Sequence, residues 1–149
     1  MSLIESVISH IRDRDYMSGV ERDQSRVKAT GEVFTPTPLV QEVLDQLPPE
    51  LFTDATKTFC DPSCGDGQFL SEVLIRKVKN GIDFETALST IYGVDLMPDN
   101  IKLCQDRLLC GKEELRHIVE KNIVCADSLT YDYRFGEPEQ FGNGLFELA

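Results

Sequence analysis

The sequence predicts an α/β domain, a parallel sheet with helices packed on both of its faces. Short apolar runs that end in Asp alternate with stretches whose apolar residues recur at helical spacing. The resulting order of strand, helix, strand, helix, strand leaves connections long enough for right-handed crossovers. At 149 residues, 41% hydrophobic and 28% charged, the chain holds one soluble globular domain with a core and is too short for two ordinary ones. That composition also excludes disorder throughout and any fibrous repeat.

Leu3, Ile4, Val7, Ile8 and Ile11 share one helical face and predict an amphipathic helix from Leu3 to Arg14. Residues 15–35 are polar, contain Gly19 and Gly31, and read as an extended loop. Thr37-Pro38 opens a second helix, with Pro38 in the tolerated first turn. Leu39, Val40, Val43, Leu44 and Leu47 form its apolar face, and Pro48-Pro49 ends it. Thr58 to Asp61 is a short buried strand, followed by the turn Pro62-Ser63-Cys64-Gly65-Asp66-Gly67. A helix over Gln68 to Lys79 turns Phe69, Leu70, Val73, Leu74 and Val78 inward and stops at Asn80-Gly81. Phe84 to Ser89 is a short helix and Ile91 to Asp95 a second strand. Pro98 starts a helix carrying Ile101, Cys104, Leu108 and Leu109 on one stripe, and Glu113 to Val119 continues helically. Asn122 to Asp127 reads as the third strand. Beyond Ser128 the chain is aromatic, polar and Gly-rich, with one further short element at Leu145 to Leu148.

The net charge is −11, from 15 Lys and Arg against 26 Asp and Glu. A chain this acidic does not hold DNA or RNA by bulk electrostatics, because counterion release needs clustered cations. Residues 1–40 carry a net −1 and residues 41–149 a net −10, so Arg22, Arg26 and Lys28 mark the stretch least hostile to a polyanion. The same three residues also fit a solvated loop. No apolar run approaches the roughly 20 residues that span a bilayer, so no membrane association is expected. The first residues lack a basic region followed by an apolar stretch, so no secretory leader is expected either. Five scattered cysteines, an odd number, read as reduced thiols in a cytoplasmic protein. Cys60 and Cys64 have no second Cys or His pair nearby, so no metal site is expected.

The chemistry gathers at the strand ends. In parallel sheets ligands sit at the carboxyl ends of the strands, and here those ends are Asp61, Asp95 and Asp127. Any one of them alone fits a solvated strand end; together they fit a cleft. Gly65 and Gly67 stand where the backbone passes close to a ligand and opens a helix, although glycines also serve plain turns. A phosphate-cradling P-loop needs Lys and then Ser or Thr after its last Gly, whereas Gln68-Phe69 follows here. A dinucleotide fingerprint needs a third Gly where Leu70 stands. What remains is a nucleoside without pyrophosphate, bearing a ribose diol and a cationic amino-acid tail. Asp95 suits both ribose hydroxyls, Asp61 an ammonium and Asp127 an exocyclic adenine amine. S-adenosylmethionine has these groups.

Four segments in order, Gly31-Glu32-Val33-Phe34-Thr35-Pro36, Asp61 through Leu70, Gly93-Val94-Asp95-Leu96 and Ala126-Asp127-Ser128-Leu129, resemble successive motifs of amino-group DNA methyltransferases. The likeness is to the N6-adenine enzymes of restriction-modification systems, over roughly residues 25–130. It implies a truncated Rossmann-like S-adenosylmethionine-dependent methyltransferase fold. It also implies that Phe34, Thr35 and Pro36 lie beside the methionine end of the cofactor. Asp61, Pro62, Ser63, Gly65 and Gly67 would wrap the cofactor. Asp95 would bind the ribose, Leu96 would lie on the adenine, and Asp127 with Ser128 would meet its amine.

One motif of that family is absent. Asn or Asp followed by Pro-Pro and an aromatic holds the flipped adenine, and no such tetrapeptide occurs in these 149 residues. No catalytic residue is therefore assigned. The organisation expected is an N-terminal helix and loop over residues 1–36, a Rossmann-like cofactor-binding core over 37–130 and an irregular tail over 131–149. The function expected is cofactor binding, with methyl transfer to DNA requiring a partner chain. The alternative is a catalytically inactive cofactor-binding or interaction protein. In the family's strand order the first strand also pairs on its other side; either the tail around Leu145-Phe146 folds back over that open edge or, the favoured expectation, self-association or a second subunit covers it.

Overall fold

The computed structural model describes residues 2–13 and 35–138. The end of the first predicted helix at Arg14, the loop bearing Arg22, Arg26 and Lys28, Phe34, and the element at Leu145 to Leu148 lie outside the described residues.

Helix α1, Leu3–Arg12, starts with a reciprocal cap. Ser2 Oγ accepts the Glu5 N–H at 3.2 Å, and the Ser2 N–H donates to Glu5 Oε2 at 2.9 Å. Its buried stripe is Val7 and Ile11. Helix α2, Thr37–Asp45, opens on Pro36 and buries Val40 and Leu44. The predicted five-residue face is narrower in the structure, where Leu39 and Val43 are 48% and 42% exposed. Packing against one neighbouring helix covers a single stripe, and α2 packs against the helix that follows β1. The helix also stops before Leu47, and Pro48-Pro49 leads into an unpredicted single turn, α3, Glu50–Thr53, which buries Phe52.

Strand β1, Phe59–Asp61, is followed by α4, Gln68–Lys79, then α5, Phe84–Ser89, and β2, Ile91–Asp95. Helix α6, Pro98–Leu109, a 3₁₀ turn over Glu113–Leu115 and α7, Arg116–Asn122, lead to β3, Ile123–Cys125. The third strand is shorter than the sequence predicts. Asn122 ends α7, and the pairing with β2 runs out at Asp95 opposite Cys125. Asp127 is therefore not a strand terminus but sits two residues past it.

The three strands are parallel in the order β1-β2-β3, with β2 central. Ile91 and Ile123 join the main core with Leu70, Leu74 and Leu108. Val94, although fully buried, stands outside that core cluster. On its own side of the sheet Tyr92 packs against Phe135, ring centroids 4.8 Å apart and planes inclined by 51°, and Phe135 meets Tyr131 and Tyr133. The described helices thus supply one layer, and this aromatic run covers part of the other face. At the opposite end from the Asp residues, buried Lys77 donates to the Lys57 carbonyl at 2.6 Å and to Thr90 Oγ1 at 2.8 Å. It ties the chain entering β1 to the chain entering β2, and burial pushes its pKa down.

Candidate functional site

A cleft of about 760 Å³ opens at the carboxyl ends of the strands, a volume within the range of small-molecule sites. Asp61, Pro62, Ser63 and Gly65 enter it from the turn after β1, Asp95 and Leu96 from the end of β2, and Asp127 and Ser128 from the chain after β3. Thr35 reaches it from the lead into α2. Pro36 does not line it but caps α2, and Phe34 lies outside the described residues. Gly67 also stays off the wall, buried as the N-cap of α4.

Strand register sets how the carboxylates spread. Asp61 pairs with Gly93, two residues before Asp95, and Asp95 pairs with Cys125, two residues before Asp127. Asp61 and Asp95 are therefore offset by two residues, about 6–7 Å along the strand direction, and Asp127 lies two residues beyond the end of β3.

The turn is held by backbone bonds and needs its glycines. The Cys64 N–H donates to the Val94 carbonyl and the Gly67 N–H to the Cys64 carbonyl, both at 2.9 Å. Gly65 and Gly67 have φ of 56° and 99°, the left-handed region that disfavours side chains. A Cβ on Gly67 would lie 3.0 Å from Cys104 Sγ. Gly93 is a third requirement: a Cβ there would stand 2.8 Å from Leu70 Cδ1 and 3.0 Å from Cys64 Cβ. Gly93 lets the turn and the start of α4 sit directly on β2.

Each aspartate has a distinct environment. Asp61 Oδ1 accepts the Ser63 N–H at 3.0 Å, yet burial raises the carboxyl's pKa, with the Asp95 charge adding to the rise. Asp95 is the most occupied. Its Oδ1 accepts the Gly65 N–H at 3.2 Å, and its Oδ2 accepts the Met97 N–H at 3.0 Å and Asn100 Nδ2 at 3.1 Å. A carboxylate offers about four acceptor sites, so these protein donors leave room at Oδ1 for one further donor. That is less than the two expected from the sequence. Asp127 is exposed, and its Oδ1 accepts the Leu129 N–H at 2.9 Å. Leu96 and Leu129, 63% and 92% exposed, give the rim an apolar surface.

Several residues at the site carry no sequence signal of their own. Phe69 and Met97 line the cleft. Gln68 also lines it, only 6% exposed, with an Nε2 that has no acceptor among the described residues. Behind the wall, Asn100 holds Asp95 and Arg107 pairs with Asp66 at 3.8 Å. These are polar side chains inside helices or turns, which sequence patterns assign to solvent. The detectable signal is spacing, since Asn100, Cys104 and Arg107 fall on the stripe of α6 that carries its apolar residues.

Compared with known proteins, residues 20–141 match the family model N-6 DNA Methylase. The chain belongs to the N-6 DNA methylase family. It is also 32% identical over 106 residues to the Type II methyltransferase M.VspI of Vibrio sp. (strain 343), which covers 70% of this chain and 22% of that protein. The chain therefore spans about a fifth of the length of that relative. No solved structure matches it significantly. Family membership accounts for the parallel sheet with its helical layer as a Rossmann-like methyltransferase fold. S-adenosylmethionine is the methyl donor such a family uses in general. No helix among the described residues is long and apolar enough to cross a membrane.

Proposed function

We propose that this chain is the S-adenosylmethionine-binding domain of an adenine-specific DNA methyltransferase, and that methyl transfer requires a catalytic segment from a partner. The observation that carries the reading is the convergence of the glycine turn with Asp61, Asp95 and Asp127 in one cleft, inside a chain of the N-6 DNA methylase family.

The cleft's chemistry fits the cofactor. Asp61, whose burial makes its charge costly, gains most from a cation and receives the ammonium. Asp95 takes one ribose hydroxyl through Oδ1, Leu96 covers the adenine, and Asp127 with Ser128 meets the exocyclic amine. Thr35 flanks the methionine end. Pro62, Ser63 and Gly65 bring the backbone close. A ligand acceptor at the first turn of α4 would satisfy the Gln68 amide. When bound, the cofactor supplies an activated methyl group; this chain binds and orients it. In this scheme residues 37–130 form the cofactor core, residues 1–36 lead into it and residues 131–149 form the tail.

The base-holding tetrapeptide is not among these 149 residues, and in the proposed reading a partner supplies it. Among the described residues β1 pairs only with β2, so its other edge is where a second subunit or second copy adds to the sheet. DNA reaches the site through that partner. A cytoplasmic setting agrees with five cysteines of which none is in a disulfide among the described residues. The same missing tetrapeptide supports a second reading, a relative that binds cofactor without catalysis.

Equilibrium dialysis with radiolabelled S-adenosylmethionine tests the binding, with saturable uptake by the folded chain as the expected result. Methyl incorporation into unmethylated DNA then separates the two readings. None is expected from the chain alone, and incorporation on adding a polypeptide that carries the tetrapeptide favours the partner reading. Incorporation by the chain alone contradicts both.

A further inference from the structure

The glycine turn that reaches the cleft has backbone hydrogen bonds at Cys64, Gly65 and Gly67, yet two of its residues are glycines. Gly65 and Gly67 both sit at positive φ, and glycines carry the largest conformational freedom to be lost on ordering. The residue between them, Asp66, is fully buried and is not part of the cleft wall. It turns away from the cleft to Arg107 of α6, whose Nη1 lies 3.8 Å from Asp66 Oδ1, with the two side chains 0% and 3% exposed. Two more residues on the same stripe of α6 act on the site. Cys104 stands under Gly67, and Asn100 Nδ2 donates to Asp95 Oδ2. Positions 100, 104 and 107 are spaced by four and three residues, one face of a helix. None of the three lines the cleft.

We infer that α6 is the positioning element of the cofactor site, and that the buried Arg107–Asp66 ion pair is the latch that holds the glycine turn in its cofactor-accepting shape. Two charges taken out of water gain little net stability over an apolar pair of similar volume. The pair's contribution is instead to anchor by a side chain a turn whose two glycines are otherwise restrained by backbone hydrogen bonds alone. Arg107 thereby acts through Asp66 as a positioning residue and touches no ligand. The effect on the cofactor rests on the reading of the cleft given above; the effect on the turn does not.

The test uses the full 149-residue chain, Arg107→Met, and the double variant Asp66→Asn/Arg107→Met, which removes both charges and guards against misfolding from an uncompensated buried carboxylate. Amide hydrogen exchange of the free proteins reads the latch directly. Protection at Gly65 and Gly67 is expected to fall about tenfold or more in both variants, while the interior amides of α4 and of β2 keep theirs. The dissociation constant for S-adenosylmethionine is expected to rise about tenfold in the double variant even where its unfolding midpoint matches wild type. Unchanged protection at the turn overturns the inference, as does wild-type affinity in a double variant whose protection has fallen. Should the wild type itself fail to bind while the exchange at the turn responds, the latch stands and the cofactor reading falls.

Discussion

Asp95 Oδ1 accepts the N–H of Gly65 at 3.2 Å, so the residue that ends β2 holds the turn that leaves β1. The same carboxylate accepts from Met97 and Asn100 and thereby fixes the chain on both sides of the cleft before any ligand arrives. Asp95→Ala leaves these donors without their acceptor. The expected cost is about 1–3 kcal/mol of stability, since a buried donor left unmet loses its desolvation energy. Urea unfolding of the two proteins measures it, and equal midpoints would show that Asp95 is free to serve the ligand alone.

Gly93 predicts a steric effect. Adding a methyl group in Gly93→Ala drives a carbon to 2.8 Å from Leu70 Cδ1 and 3.0 Å from Cys64 Cβ. Overpacking of this kind costs about 1–3 kcal/mol. Shortening the clashing neighbour in Gly93→Ala/Leu70→Val is expected to recover part of the loss, which a double-mutant cycle from denaturant midpoints reads as coupling.

Asp61 predicts a conflict between stability and binding. Its pKa in the folded chain lies above the ordinary carboxylate value of 3.8, first because of burial and then because of Asp95. The folded state therefore holds that proton more tightly than the unfolded state does. Its contribution to stability is full below pH 3.8 and is lost as pH rises through the folded value. At neutral pH Asp61→Asn removes the cost of the buried charge and keeps an oxygen for the Ser63 N–H. The variant is expected to melt a few degrees higher than wild type while binding S-adenosylmethionine at least tenfold more weakly. Scanning calorimetry at pH 7 and a binding titration check the two halves separately.

The ion pair between α1 and α4 predicts a purely structural effect. Arg12 Nη2 and Nε donate to Glu72 at 2.6 and 3.2 Å, and Gln41 Nε2 donates to Glu72 Oε1 at 3.2 Å. Glu72 is buried, whereas the Arg12 side chain is about one-third exposed. Arg12→Met leaves a buried carboxylate short of its cation, a loss discounted by Arg12's contact with solvent to about 2 kcal/mol. Chemical unfolding checks it. A change below a few tenths of a kcal/mol would mean that α1 is held by Val7 and Ile11 alone.

How much of this was legible in the sequence depends on whether a residue's role is local. The bounds of α4, α5, β2 and α6 follow from caps, proline and apolar period within each segment, and the structure reproduces them. The end of β3 was not legible because it depends on where β2 stops offering partners, which no residue near Cys125 encodes. Leu39 and Val43 read as core on period alone, yet α2 has only one packed stripe. At the site, eight of the motif aspartates, glycines and neighbours line the cleft along with Thr35. Asn100 and Arg107 escaped notice because their partners, Asp95 and Asp66, lie in other elements, and burial of a polar side chain is decided by tertiary contact.

The central claim is that the cleft at the ends of β1, β2 and β3 binds S-adenosylmethionine through Asp95. Calorimetric titration of the cofactor into the wild type and into folded Asp95→Ala tests it most directly. Saturable binding to the wild type that is lost in the variant is the predicted result. No heat with folded wild-type protein, or equal affinity in the two, would contradict it.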